Sequence, residues 1–208
     1  MEIKTTLNKP YTEEERNDFI VEQNHNNGYE IRETETALEA WGYTEEEIQA
    51  QERERIAKLS MTRGDVFEAL ILARGLTKPQ IRAMIENAEL DTVTKALYLN
   101  RFDEALEFYR GYPIFDMLGQ ALGVTGAMLD KFFEKKDYHY LKTCKLTINA
   151  TPIEATVTGA GDYPYGTIVD VVVECEGYIT HTETVTLTED KTLNITLDEV
   201  VDETNINL

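Results

Sequence analysis

Hydrophobic positions along the chain change their spacing twice, and the changes divide it into three segments. In residues 1–60 apolar side chains are sparse. The string "YTEEE" occurs at Tyr11–Glu15 and again at Tyr43–Glu47. In each copy a Thr stands three residues ahead of a Glu, Thr12 before Glu15 and Thr44 before Glu47. That is the spacing of a capping box, in which the hydroxyl accepts from the third helical amide and the carboxylate accepts from the cap amide. Three acids in a first turn also suit the positive end of a helix dipole. The text diverges immediately after each copy, so these are two helix starts and not a duplicated unit. The first helix carries Phe19, Ile20 and Val21, and the second carries Ile48, Ile56 and Leu59 on a thin stripe. Gly28 is placed to end the first helix. Tyr29, Ile31 and Glu33 alternate with polar residues as an exposed strand does. Leu38 and Trp41, three apart, fit a helical turn as well as a strand. So little apolar surface makes residues 1–60 a small α+β anchor.

Residues 61–141 have helical spacing and many more apolar residues. Thr62 caps a helix with Asp65 at its third position; Val66, Phe67, Leu70 and Ile71 form its face, and Gly75 ends it. Thr77 restarts a helix with Pro79 in the first turn, where a missing amide costs nothing. "DTVTKALYLNRFDEALEFYRG" reads as one long helix from Asp91 to Arg110, stopped by Gly111. "PIFDMLGQALG" and "TGAMLDKFFEKKDY" give two shorter ones. Five helices with tight Gly and Thr punctuation predict an orthogonal bundle.

Near Leu141 the period becomes two. Leu146/Ile148, Thr167 to Glu174, Val185/Leu187 and Leu193/Ile195/Leu197 alternate along strands, with "GAGDYPYG" and "TEDK" as turns. Five or six short strands predict a small all-β sandwich over 142–208, with "VVDETNINL" as a frayed or docking tail. The fold class is therefore multi-domain α+β.

Charge sharpens this division. The chain has 20 Lys and Arg against 39 Asp and Glu, a net of −19. Residues 1–60 hold 7 basic and 15 acidic side chains, residues 61–141 hold 10 and 12, and residues 142–208 hold 3 and 12. Phosphate backbones are bound by clustered Lys and Arg, so no nucleic-acid partner is expected. The longest apolar runs are a few residues, so no membrane span is expected. The opening "MEIKTTLNKPYTEEE" lacks the basic start and apolar core of a secretion signal. Cys144 and Cys175 lie in strand-like runs. They are read as two buried thiols in a reducing cytoplasm, with a facing pair as the alternative.

Candidate chemistry is thin. "MLGQALGVTGAMLDKFF" has helix-turn-helix spacing, with Gly119 for close approach, Gly123 for the turn, and Leu118, Leu122, Val124, Leu129 and Phe132 pointing inward. Its outward residues, Asp130, Lys131, Glu134 and Lys135, are mixed in sign and lack the Arg, Asn or Gln that read base edges. His25, His139 and His181 fall in three segments without zinc-ligand spacing. Glu13–Glu15 and Glu45–Glu47 suit helix starts better than calcium loops, which alternate carboxylates around a Gly. No phosphate loop or nucleophile motif is present, and no metal, cofactor or catalytic residue is assigned. "FYRGYPIF", Phe108 to Phe115, packs aromatics densely at a helix end and fits either an exposed docking patch or a core corner.

Two resemblances add a setting. Residues 1–141, through "IKTTLNKPYTEEERNDFIVEQNHNNGYEIRETETALEAWGYTEEE", "LSMTRGDVFEALILARGLTKPQIRAMIENAELD", "FDEALEFYRG" and "LGQALGVTGAMLDKFF", resemble small structural or tail-fibre-associated proteins of tailed phages and prophages of gut bacteria. The last segment, through "TPIEATV", "YPYGT", "EGY" and "TLNITL", resembles PEGA-like and related immunoglobulin-like modules, with Glu154 where that family carries Gly. The resemblance implies a non-enzymatic virion component, assembled in the host cytoplasm. It would bind other phage structural proteins and a host surface glycan, and be present as a homo-oligomer or in many copies. Attachment is expected at Trp41, Tyr43, Tyr109, Tyr112 and Phe115, and contact by the displayed module at Tyr163, Tyr165 and Tyr178. A tail-fibre assembly chaperone is the alternative class, and a helix-turn-helix DNA-binding regulator a third.

Overall fold

The computed structural model describes residues 1–200. The expected tail lies outside them apart from Val200. The fold is mixed α+β, with seven α-helices and several small sheets among the described residues and no closed barrel. The chain divides after Ala57 into two compact units.

The first unit contains β1 (Glu2–Asn8), α1 (Glu13–Ile20) continued by a π-helical segment (Val21–Asn26), β2 (Glu30–Glu33), β3 (Ala37–Gly42) and α2 (Glu45–Ala57). Both capping boxes form. Glu15 N donates to Thr12 Oγ1 at 3.2 Å, and Thr12 N donates to Glu15 Oε2 at 2.7 Å. Glu47 N donates to Thr44 Oγ1 at 3.1 Å, and Thr44 N donates to Glu47 Oε2 at 2.8 Å. The strands form one antiparallel sheet in the order β1-β3-β2. Ala37–Gly42 is a strand and not a helical turn. Leu38 and Ala40 bury one face of it, while Glu39 and Trp41 occupy the other. Gly42 carries no side chain because the Tyr29 ring lies 2.9 Å from where a Cβ would stand. Neither α1 nor α2 has a buried residue.

The second unit begins at Lys58. It runs through β4 (Ser60–Thr62), α3 (Arg63–Arg74), α4 (Lys78–Asn87), α5 (Thr92–Glu104), β5 (Glu107–Tyr109), α6 (Pro113–Leu122) and α7 (Gly126–Lys135). A 3-10 turn, Tyr138–Leu141, follows. Then come β6 (Thr143–Thr151), β7 (Thr156–Thr158), β8 (Gly161–Pro164), β9 (Thr167–Glu174), β10 (His181–Leu187) and β11 (Lys191–Thr196).

The expected long helix to Arg110 ends instead at Glu104. The Arg63 guanidinium donates to the Asp103 carbonyl at that end. The chain then extends so that Phe108 can turn inward while Glu107 and Tyr109 stay outside. Glu107–Tyr109 pairs antiparallel with Ser60–Thr62, Met61 opposite Phe108. On α3 the buried positions are Val66 and Ala69, and Ile71 is exposed. Val66, Phe67 and Leu70 of the expected stripe do pack on the core, and Ala69 takes the place expected of Ile71.

Six of the seven phenylalanines form a continuous edge-to-face series. Phe102 meets Phe67 at 5.0 Å between centroids, Phe67 meets Phe108 at 5.9 Å, and Phe108 meets Phe115 at 5.6 Å. Phe115 meets Phe133 at 5.0 Å and Phe133 meets Phe132 at 5.4 Å. Arg110, the one buried charged residue among those described, holds the α6–α7 corner. Its Nε lies 2.6 Å from Asp130 Oδ1 and its Nη2 2.9 Å from Asp116 Oδ1.

The last six strands form two three-stranded sheets, β10-β9-β7 and β11-β6-β8. Gly161–Pro164, expected within a turn, pairs antiparallel with Thr143–Leu146. The two sheets share one core of Cys144, Leu146, Val169, Val171, Val173, Val185, Leu187, Ile195 and Leu197. Cys144 and Cys175 are free thiols.

Two outcomes follow from this geometry. A Cβ on Gly119 would stand 2.8 Å from the Val124 carbonyl oxygen and 2.9 Å from Leu129 Cδ1. Val124 N is itself bound to Gly119 O at 2.8 Å, so the turn cannot back away. Gly119→Ala should cost about 1–3 kcal/mol in urea denaturation, whereas Gly64→Ala, whose Cβ meets only Thr62 Oγ1 at 3.7 Å, should stabilise by roughly 0.5–1 kcal/mol. The Glu15 carboxyl is held below its ordinary value by the Thr12 amide and then the Thr12 hydroxyl. A depressed carboxylate contributes stability above its unfolded pKa, and that contribution is lost as pH falls through the folded value. The start of α1 should therefore loosen only below the ordinary carboxylate range. An NMR titration of the Thr12 and Glu15 amides checks this, and Glu15→Gln should flatten the response.

Candidate interaction surfaces

In the first unit Trp41 lies half-buried on the open face of β3. Its indole Nε1 donates to Glu39 Oε2 at 2.9 Å. The Arg32 guanidinium sits 4.6 Å from the ring centroid, within cation–π range. Ile3 and Glu30 flank Trp41 in register on β1 and β2, and Ile3 is exposed. Tyr43, just past the strand, is also exposed. The sheet twist and its alternation place an apolar ring bracketed by a cation and two carboxylates on the outside. Arg32 was not anticipated. Its signal in the sequence is the two-residue spacing to Glu30, with which it pairs at 2.9 Å.

In the helical part Tyr109 and Tyr112 stand together, rings 5.5 Å apart and tilted by 59°. The Arg101 guanidinium caps the Tyr112 ring at 4.0 Å. Tyr109 Oη donates to Glu107 Oε2 at 3.3 Å, and the Glu107 charge raises the phenol's pKa. Arg101 belongs to an outward stripe of α5 with Val93 and Leu97, at intervals of one helical turn. Val93 is 68% exposed and Leu97 is 62% exposed. Valine and leucine at such exposure on adjacent turns extend the apolar area beside an aromatic–arginine cluster, and tyrosine and arginine are the residue types enriched at interface centres. The i, i+4, i+8 spacing of Val93, Leu97 and Arg101 is legible once α5 is known to end at Glu104. Phe115 does not belong to this surface. It is 8% exposed and lies in the middle of the phenylalanine series, between Phe108 and Phe133.

The three tyrosines expected to be displayed by the β part occupy different places. Tyr163 packs against the β core and its hydroxyl donates to Gly159 O at 2.9 Å. Tyr165 faces back toward the helices, stacked on His139 at 5.0 Å and edge-on to Tyr140 at 5.4 Å. Both are half-buried: Tyr163 lies on β8, and Tyr165 lies in the turn after it, which abuts the 3-10 turn. Tyr178 sits at the opposite end, half-buried, bridged through its backbone to Glu199. Burial raises its phenol pKa, and the charges of Glu199 and then Glu154 add to this.

Enclosed space is small. The apolar cavity between Val66, Leu70, Phe115, Leu129 and Leu141 measures about 30 Å³, far below the volume of an ordinary small-molecule site. Among the described residues no group of three or more His, Cys, Asp or Glu is placed to hold a metal ion. No helix of the described residues is long and apolar enough to cross a membrane. No family model, curated protein or solved structure matches the chain.

Burial separates the roles of neighbouring aromatics. Phe115→Ala should cost about 3–5 kcal/mol in urea denaturation of the full chain. Tyr109→Ala should cost less than about 1 kcal/mol, since its ring is exposed and its hydroxyl bond is to an exposed carboxylate.

Proposed function

We propose that the chain is a non-enzymatic structural component of a tailed-phage virion, associated with the tail or its fibres. It docks onto other phage structural proteins through Trp41 and Tyr43 of the first unit and through Tyr109, Tyr112 and Arg101 of the helical part, read as an orthogonal bundle. It displays the C-terminal strands, read as an immunoglobulin-like β-sandwich, away from that attachment. The single observation that supports this reading most strongly is the exposed face of Val93, Leu97, Arg101 and Tyr109, with the half-buried Tyr112 between Arg101 and Tyr109. Its apolar and aromatic surface is of the kind that interfaces cover. The resemblance of residues 1–141 to phage tail-associated proteins supplies the setting.

Mass spectrometry of purified particles tests the proposal. The chain should be recovered in fixed proportion to tail proteins. Its presence in infected-cell lysate but not in particles would assign it to the assembly-chaperone class instead. Tyr109→Ala/Tyr112→Ala should reduce incorporation about tenfold or more, since removing two interface aromatics costs on the order of 2 kcal/mol. The Tyr109→Ala single variant should still lower incorporation with little change in melting temperature, which separates a lost contact from the stability that the half-buried Tyr112 adds to the core.

A further inference from the structure

We propose that the far end of the β part is a docking tip for a basic protein segment that carries an apolar anchor. The tip is built from three stretches, residues 151–156, 174–180 and 197–200. Register holds them together. Thr151 lies opposite Thr196, Thr156 opposite Glu174, and His181 opposite Val173. Ile179 N donates to Asp198 O at 2.8 Å and Val200 N donates to Gly177 O at 2.8 Å. β6 and β9 both start beside the 3-10 turn and both run away from it. The eight residues of β9 therefore place the tip roughly 25 Å from that junction.

Ile153 is 92% exposed, and Ile179 and Val200 are 58% exposed each. β-Branched side chains held this far out, clustered at one end of the module, are available contact area and contribute little to its core; the other exposed aliphatic of the strands, Ile168 at 67%, stands alone at the junction end of β9. Around them stand Glu154, Glu174, Glu176, Asp198 and Glu199, and the three stretches contain no Lys or Arg. Glu154, Glu174, Glu176 and Cys175 line an open groove of about 500 Å³. The three lysines of residues 142–200 are Lys142, Lys145 and Lys191, all toward the junction. The tip is thus apolar in its prominences and uniformly negative between them. Charge complementarity selects a partner bearing Lys or Arg with an apolar side chain among them. A second copy of this tip would bring like charges together, and an anionic surface would be repelled.

The inference deepens the reading of the β part as the displayed module, and it is tested on the purified full chain, independently of particles. The probe is a short peptide of alternating Lys and Leu, with a Lys–Ser peptide of the same charge as control. NMR shifts should move at residues 151–156, 174–180 and 197–200. Ile153→Ser/Ile179→Ser should weaken binding about fivefold or more, as should Glu154→Gln/Glu176→Gln, with unchanged melting for both. Raising the salt to about 0.5 M should weaken it as well. Equal binding of the Lys–Ser peptide, shifts elsewhere, an unaffected isoleucine variant or no binding would overturn the proposal. Concentration-dependent self-association abolished by the isoleucine variant would also overturn it, by making the occupant a second copy.

Discussion

The phenylalanine series fixes the helical part of the second unit. Each edge-to-face pair adds about 0.5–1.5 kcal/mol beyond the area it buries, and the pairs share members, so none can shift alone. Phe67 comes from α3, Phe102 from α5, Phe108 from β5, Phe115 from α6, and Phe132 with Phe133 from α7. Five elements are therefore located by one chain of rings. The constraint accounts for the break at Glu104. A helix continued to Arg110 would place Phe108 by helical geometry and not by strand alternation. The extended segment turns Phe108 between Phe67 and Phe115 and supplies the backbone partner for β4. It also leaves Tyr109 pointing outward, beside Tyr112. The exposed Tyr109, tilted against the half-buried Tyr112, is thus a geometric consequence of the buried series.

The same economy governs the passage from helices to strands. Leu141 closes the helical core, and Cys144 opens the β core. The 3-10 turn before them packs on α3 and α7, and its rings reach the other way. Tyr138, His139 and Tyr165 form a stack with centroids 4.1 and 5.0 Å apart, and Tyr140 meets Tyr165 edge-on. Tyr165 N also donates to Lys142 O at 3.1 Å. Two separate cores are thereby joined by a laminated aromatic hinge plate and not by a free linker. A module fixed in this way presents its far end in a defined direction, which suits a contact surface.

Much of the architecture was legible because it rests on local rules. Thr12, Thr44, Thr62 and Gly75 announce their caps by spacing alone, and Val169, Val171 and Val173 announce a half-buried strand by period. The failures have one physical source, tertiary pairing that overrides local preference. Residues 105–109 follow good helix formers, yet Phe108 has more to gain inside. Leu38 and Ala40 become a central strand because β1 and β2 flank them, and β1 itself, with only Ile3 and Leu7, gives almost no periodic signal. Gly161–Pro164 has the composition of a turn but pairs with β6. The aromatics divided for the same reason. Tyr109 is outside, Tyr112 is half-buried, Phe115 is inside, and no spacing rule separates them before the neighbouring rings are known. Tyr163 and Tyr165 look displayed in a turn-rich sequence, whereas β8 packs Tyr163 on the core and the turn that follows it stacks Tyr165 on His139.

Charge distribution gives these surfaces different characters. The helical part carries nearly balanced charge, and its exposed face concentrates arginine and aromatic side chains, so desolvating it costs little and hydrophobic contact dominates. The β tip carries acids only, and any partner must first compensate them. On the proposed roles, the helical face would suit mixed-charge protein surfaces with aromatic complementarity, and the tip would suit cationic ones. Long-range repulsion between chains of net charge −19 keeps copies apart at low ionic strength. An association through the helical face would therefore be short-ranged and dependent on shape, while one at the tip would be steered over distance and weakened by salt. On the proposed reading of two unlike partners, this separation keeps either from occupying the other's place.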